Sequence, residues 1–340
     1  MIPPFRPPSL LRNAHVQSVL SSSALRRRRL LKRRPAVLTQ ARQEIIECDD
    51  GVRLESWRSP RPDAIATAIL FHGWEGNAGS NYMVDTADRL YEAGFEVVRL
   101  NFRDHGDTHH LNRGLFNSCR LAEVVSATRI LAERARPRPV VLVGYSLGGN
   151  FALRVARVAD FPIAQVFAVS PVISPSAGLA AIQAAPWFYE YYFMRKWRRS
   201  LARKCELYPE DYGWETVLAE GDLLQLTGWL VDCYTEFPHI DAYLDGYSIA
   251  GDRLADLRVP GVIMTAADDP VIPVADFEGL QLPERLRLEV TEFGGHCGFI
   301  DSLALTSWAP RVITAELIRR LKGESPARAG APNERIMEAG

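Results

Sequence analysis

Residues 144–150 read Gly-Tyr-Ser-Leu-Gly-Gly-Asn and follow directly on the apolar run of residues 140–143. A serine with glycines two positions before and two after it fits a sharp strand-to-helix turn. Small neighbours let the backbone bend, the turn lifts Oγ above the sheet edge, and the helix start supplies N–H groups. A serine hydroxyl is a weak nucleophile until a base takes its proton. The pattern therefore predicts a carboxylate and then a histidine further along the chain, each at the end of a later strand. Residues 262–267 lead into Asp268-Asp269-Pro270-Val271-Ile272-Pro273, and residues 288–293 lead into Gly294-Gly295-His296. Ser146, Asp269 and His296 are the expected nucleophile, orienting acid and base. Asp269 is preferred to its neighbour because it stands four positions before Pro273. Asp268 is expected to hold the backbone of its own turn.

Acyl chemistry at Ser146 would build negative charge on a carbonyl oxygen, which needs fixed donors; losing one costs about 3 kcal/mol. The Leu147 N–H, next to the nucleophile, is one expected donor. The other is the Trp74 N–H, in the loop His72-Gly73-Trp74-Glu75-Gly76-Asn77. A second polar loop carries Asp104, His105, Asp107, His109 and His110. These residue types could ligate a metal, but no HExxH helix accompanies them and a Ser-His-Asp relay needs no metal. They are read as hydrogen-bonding groups near the site entrance, with no metal and no cofactor expected.

The elements that must position these residues follow from hydrophobic periodicity. Short apolar runs predict strands at 44–48, 52–58, 65–72, 95–102, 140–145, 165–170, 259–266 and 286–293. Runs such as Ala68-Ile69-Leu70-Phe71 are apolar on both faces, as strands of a covered parallel sheet must be. Helical segments at 82–93, 121–135, 147–158 and 303–321 alternate with them, which implies βαβ units. Residues 175–257 break the alternation and read as an inserted helical cap. Its aromatics, Trp187-Phe188-Tyr189 and Tyr191-Tyr192-Phe193, either fill the cap core or wall an acyl pocket. Arg195, Lys196, Arg198, Arg199, Arg203 and Lys204 read as a solvated face. Upstream, Leu10, Leu11, His15, Val16, Val19 and Leu20 predict one amphipathic helix laid on the body. The expected organisation is a helical arm (1–43), a core (44–174 and 258–322), the cap (175–257) and a disordered tail (323–340).

The net charge of −1 conceals an asymmetry: residues 1–43 carry ten Arg or Lys and no Asp or Glu. The basic block 26–34 follows the apolar stretch, the reverse of a signal peptide. It is read as a surface feature that either pairs with the acidic body or touches anionic lipid, with no nucleic-acid partner expected. Five cysteines without CxxC spacing argue against a disulfide or zinc framework and fit a reducing compartment. No apolar run approaches the roughly 20 residues of a membrane span. A cytoplasmic, at most membrane-associated, protein is expected.

Taken along the chain, the motifs resemble the α/β-hydrolase superfamily and, within it, the AB hydrolase 4 family of YheT-like proteins. The resemblance spans roughly residues 7–320 and rests on PPSLLRNAHVQ (7–17), HGWEGN (72–77), NFR (101–103), GYSLGGN (144–150), YS (247–248), ADDP (267–270) and GGHCGF (294–299). It implies a mostly parallel eight-stranded sheet flanked by helices, with a helical cap inserted between strands. It also implies a serine hydrolase acting on carboxylic esters, lipid-like in some members. Ser146, an aspartate of the 268–269 pair and His296 match the family's charge-relay positions. Many members carry Arg-Gly-Cys-Ser-Gly after the strand ending at Phe102; here the loop reads Arg103-Asp104-His105-Gly106, so substrate preference does not carry over. The expected activity is ester hydrolysis through an acyl-enzyme. A thioesterase or acyltransferase using the same residues, or a membrane- or RNA-associated adaptor on this scaffold, are the alternatives.

Overall fold

The computed structural model describes residues 2–212 and 221–323. The expected tail lies outside the described residues from position 324 onward. Eight strands form one sheet: β1 (Arg42–Glu47), β2 (Arg53–Ser59), β3 (Ala66–Phe71), β4 (Phe95–Leu100), β5 (Val140–Tyr145), β6 (Gln165–Val169), β7 (Gly261–Ala266) and β8 (Leu286–Thr291). Their order is β1-β2-β4-β3-β5-β6-β7-β8. β2 runs antiparallel to β1 and β4, and every neighbouring pair from β4 to β8 is parallel. This is the mostly parallel eight-stranded sheet that the family resemblance implied.

The described helices are α1 (Ala14–Ser22), α2 (Ala24–Lys32), α3 (Ala36–Thr39), α4 (Asn81–Glu92), α5 (Leu121–Ala135), α6 (Leu147–Val158), α7 (Pro175–Ala184), α8 (Phe188–Leu207), α9 (Leu223–Tyr234), α10 (Ile240–Gly246), α11 (Ala275–Glu278) and α12 (Ala309–Leu321). Strand alternation sends successive side chains to opposite layers. Ile69 and Phe71 of β3 pack with Val124 and Leu131 of α5 and Phe151 of α6. Ala68 and Leu70 pack on the other side with Met83 and Leu90 of α4 and Ile313 and Leu317 of α12. Each such large side chain contributes roughly 1.5–3 kcal/mol on burial. The sheet is thus clamped from both faces, and its C-terminal edge can present loops rigidly. Between β6 and β7 the described residues contain helices α7 to α10 and no strand.

Four sequence expectations need correcting. The last helix starts at Ala309 rather than 303, because residues 300–307 turn back on themselves through an Ile300–Ser307 bridge and Pro310 opens the helix. The N-terminal segment is two helices, not one. Ser23 is extended, and its Oγ accepts the Arg26 N–H at 3.2 Å, capping α2. The face of α1 against the body is also not the apolar one. Val16 and Val19 are exposed, whereas the polar Gln17 and Ser21 are buried. The basic block is not wholly at the surface either, since Arg26 is buried and bonded to Asp85 at 2.6 Å.

Candidate active site

β5 ends at Tyr145 and α6 begins at Leu147, leaving Ser146 alone to reverse the chain. It does so at φ +53°, ψ −121°, a conformation that costs a non-glycine residue on the order of 1–3 kcal/mol. The flanking glycines are steric requirements. A Cβ at 144 would lie 2.1 Å from the Gly148 carbonyl oxygen, and one at 148 would lie 2.3 Å from that of Phe71. The Ser146 N–H donates to Val169 O at 2.9 Å and ties the turn to β6.

Ser146 Oγ stands 2.9 Å from His296 Nε2. On the other side of the ring, His296 Nδ1 lies 3.0 and 3.2 Å from the two carboxylate oxygens of Asp269. An ionised carboxylate only accepts, so Nδ1 carries the proton and Nε2 is left to accept from the serine hydroxyl. Burial disfavours the charged imidazole, but the Asp269 carboxylate against Nδ1 outweighs it. The result holds the His296 pKa well above that of an ordinary histidine. Asp269 Oδ1 also accepts the N–H groups of Val271 and Ile272 at 2.8 and 3.0 Å.

Asp268 bonds to its own backbone N–H as expected, and its carboxylate also reaches beyond its turn. Asp268 Oδ1 accepts the Gly295 N–H at 2.8 Å, so it grips the loop that bears His296. Asp269 is the residue that both faces the imidazole and anchors the turn after β7.

The loop after β3 reaches the serine from the other side. A Cβ on Gly73 would sit 3.2 Å from Ser146 Cβ, so glycine permits the approach. His72 is fully buried, and burial brings its pKa down to about 4. The neutral ring donates from Nδ1 to Gly73 O at 2.8 Å and accepts the Phe102 N–H on Nε2 at 3.1 Å. It thereby fixes the loop carrying Trp74 to the strand end beside it. Trp74 and Leu147 line the same cleft as Ser146.

That cleft encloses about 850 Å³ with its open mouth and is walled mainly by apolar side chains, among them Phe116, Leu179, Ile182, Phe193, Trp197, Leu230 and Tyr247. The cap aromatics therefore divide their duties. Phe193 stacks on Trp74 at 5.4 Å and Trp197 meets it edge-on at 5.3 Å, whereas Trp187, Tyr191 and Tyr192 are exposed.

The loop of potential metal ligands is organised by an ammonium group. Lys204 is fully buried, and its Nζ donates to Asp104 Oδ1 at 2.7 Å and to the carbonyls of His109 and Asn112. His105 Nδ1 donates to Arg103 O at 2.7 Å, and His109 Nε2 pairs with Ser200 Oγ at 2.8 Å. Lys204 thus leaves the expected solvated face of α8. Lys196 does too, donating to Glu75 O at 2.8 Å behind Trp74. Arg195, Arg199 and Arg203 remain exposed.

The support for His296 comes from a place the motif pattern did not indicate. The Ser18 hydroxyl of α1 accepts the His296 N–H at 2.9 Å, and Ser21 donates to Cys297 O at 3.2 Å. The buried Gln17 amide donates to Leu11 O and Ile300 O and accepts the Ile300 N–H. A Cβ on Gly295 would come within 2.4 Å of Ala14 O, so the histidine loop lies directly on α1. The available signal was Gln17 and Ser21, polar residues one helical turn apart on the same side of α1.

The sequence pattern of the alpha/beta hydrolase family matches residues 68–306. The chain belongs to that family. As an alpha/beta hydrolase it is 28% identical over 256 residues to the YheT protein of Escherichia coli (strain K12), provisionally named an esterase; the match covers 70% of this chain and 71% of that one. Among solved structures it is similar to the Pyrococcus furiosus esterase Pf2001, with a TM-score of 0.54 at 16% identity over 83% of this chain and 90% of that one. It is also similar to a membrane phospholipase A described as a bacterial virulence factor, with a TM-score of 0.56 at 15% identity over 88% and 93%. At these identities the structural likenesses establish the fold.

Proposed function

We propose that this alpha/beta hydrolase is a serine esterase cleaving carboxylic esters with an apolar acyl group. The observation that carries this reading is the continuous line Ser146 Oγ, His296 Nε2, His296 Nδ1, Asp269, with 2.9 and 3.0 Å steps, opening on an apolar cleft. Ser146 Oγ attacks the ester carbonyl carbon while its proton passes to Nε2, and Asp269 stabilises the imidazolium so formed. The N–H groups of Trp74 and Leu147 stabilise the tetrahedral oxyanion. Collapse breaks the carbon–oxygen bond to the alcohol, which leaves with the Nε2 proton. Water, deprotonated by the same nitrogen, then attacks the acyl-serine and releases the acid.

Ser146→Ala tests the reading. It removes the attacking atom and releases the backbone strain no further than any L-residue would, so the fold should persist. Turnover of p-nitrophenyl esters should fall by a factor on the order of 10⁴–10⁶, and labelling by a fluorophosphonate probe should vanish. Retained turnover in the alanine variant would sink the assignment. Running a thioester and an acceptor alcohol beside the ester panel separates hydrolysis from the acyltransfer alternatives.

A further inference from the structure

The inward side of α1 is explained by the histidine loop; its outward side is not. Leu10, Val16, Val19, Leu25 and Leu31 are exposed along the N-terminal helices, with Leu10 at 76%. Arg27, Arg28, Lys32, Arg33 and Arg34 are exposed among them. The surface continues onto the cap. His15 Nδ1 meets Tyr189 OH at 3.1 Å and the His15 ring lies edge-on to Phe188, which adjoins Trp187. Trp187 is 76% exposed and contacts the exposed Tyr191. At the opposite end, Arg29 holds Leu303 O at 2.6 Å, bringing the 62%-exposed Leu303 into the same surface.

We infer that this face, formed by residues 10–34 with the Trp187–Tyr191 tip of the cap, docks the protein on an anionic lipid surface. Three features fit that occupant. Residues 1–43 hold ten basic and no acidic side chains, and nearby carboxylates are already engaged, Asp85 by Arg26, Asp301 by Arg311 and, on the cap tip, Glu190 by the Leu223 N–H. Apolar side chains are interleaved with the cations, as in helices that lie in the plane of a bilayer surface. Exposed Trp and Tyr are the side chains that favour the headgroup level. A polyanion such as RNA would account for the arginines but not for the leucines, valines and tryptophan between them. A second copy of the chain would bring one basic face against another.

The test is co-sedimentation of the full chain with phosphatidylcholine vesicles, with and without about a third of phosphatidylglycerol. Binding to the anionic vesicles should exceed binding to the neutral ones by roughly tenfold or more and should weaken as salt is raised. The triple variant Arg28→Glu, Lys32→Glu, Arg33→Glu should lose that excess, and Trp187→Ala with Tyr191→Ser should reduce it severalfold. Both should keep the wild-type thermal midpoint and turnover of a water-soluble ester, since none of these side chains touches the cleft or the histidine loop. Equal binding to both vesicle types, or undiminished binding by the charge-reversed chain, would overturn the inference. So would tighter binding to single-stranded RNA than to anionic vesicles, or self-association abolished by the Trp187 and Tyr191 changes. Each of these outcomes is read without an ester assay, so it stands apart from the proposed catalysis.

Discussion

Asp268 and Asp269 are adjacent in the chain, yet their carboxylates serve two different loops. Asp269 faces His296 Nδ1, and Asp268 holds the Gly295 N–H. In the proposed relay, Asp269→Asn should lower kcat by roughly 10⁴-fold, because an amide no longer fixes the tautomer that leaves Nε2 free. Asp268→Ala shifts the histidine loop without touching the imidazole, and a misplacement on the order of 1 Å costs about 10²-fold. Steady-state kinetics on the two variants separates them. The pH dependence carries a sign. Nε2 accepts a proton only in the neutral ring, and Asp269 raises the imidazole pKa well above the ordinary value. Ester turnover should therefore climb with pH along an acid limb lying above about 6.5. In Asp269→Asn burial and the Cys297 contact remain without the carboxylate, and an NMR titration of the imidazole should find its pKa displaced downward from that of the unmutated chain.

At the scale of elements, two contacts decide whether the site is held. In the helix α1, Gln17→Ala removes two bonds to the Ile300 backbone beside the histidine loop and one to Leu11 O. We expect kcat to fall about 10²-fold with KM nearly unchanged, since the cleft walls are untouched. In α8, Lys204→Ala leaves Asp104 buried without its partner and should destabilise the fold by about 3–5 kcal/mol, measured by urea unfolding. Neither contact was legible in sequence. The nucleophile turn, both later strand ends and six of the parallel-sheet strands follow from local rules, because a buried strand must be apolar and a strained turn must have small neighbours. Gln17 was read as part of an amphipathic helix because periodicity weighs side-chain polarity, whereas burial here is set by backbone acceptors 283 residues away. Lys204 was read as solvated for the same reason: its partners lie about 100 residues upstream. The Asp268 and Asp269 roles were separable only through Pro273, and the loop that Asp268 serves lies beyond any local pattern.

At the scale of the whole molecule, the sheet is a rigid floor and the cap a replaceable wall. The Ser146 turn, the Gly73 loop and the Asp269 turn all sit at strand ends, whereas Leu179, Ile182 and Leu230 come from cap helices. Cap substitutions should therefore alter acyl preference while leaving the chemical step intact. Ile182→Trp fills part of the cleft, and a series of p-nitrophenyl esters of graded length should show its optimum moving to shorter chains. Its kcat on the shortest ester should stay within about threefold of wild type, because the change lies outside the reacting atoms. No described helix is long and apolar enough to cross a membrane.

The grip of α1 on the histidine loop joins segments 278 residues apart in the chain. A nascent chain halted after β7 would already hold the Ser146 turn but lack the turn that carries His296. A product lacking the first two dozen residues would have every relay side chain and no cradle beneath one of them. In the proposed relay, alignment of the imidazole therefore waits for these two far-separated segments to meet.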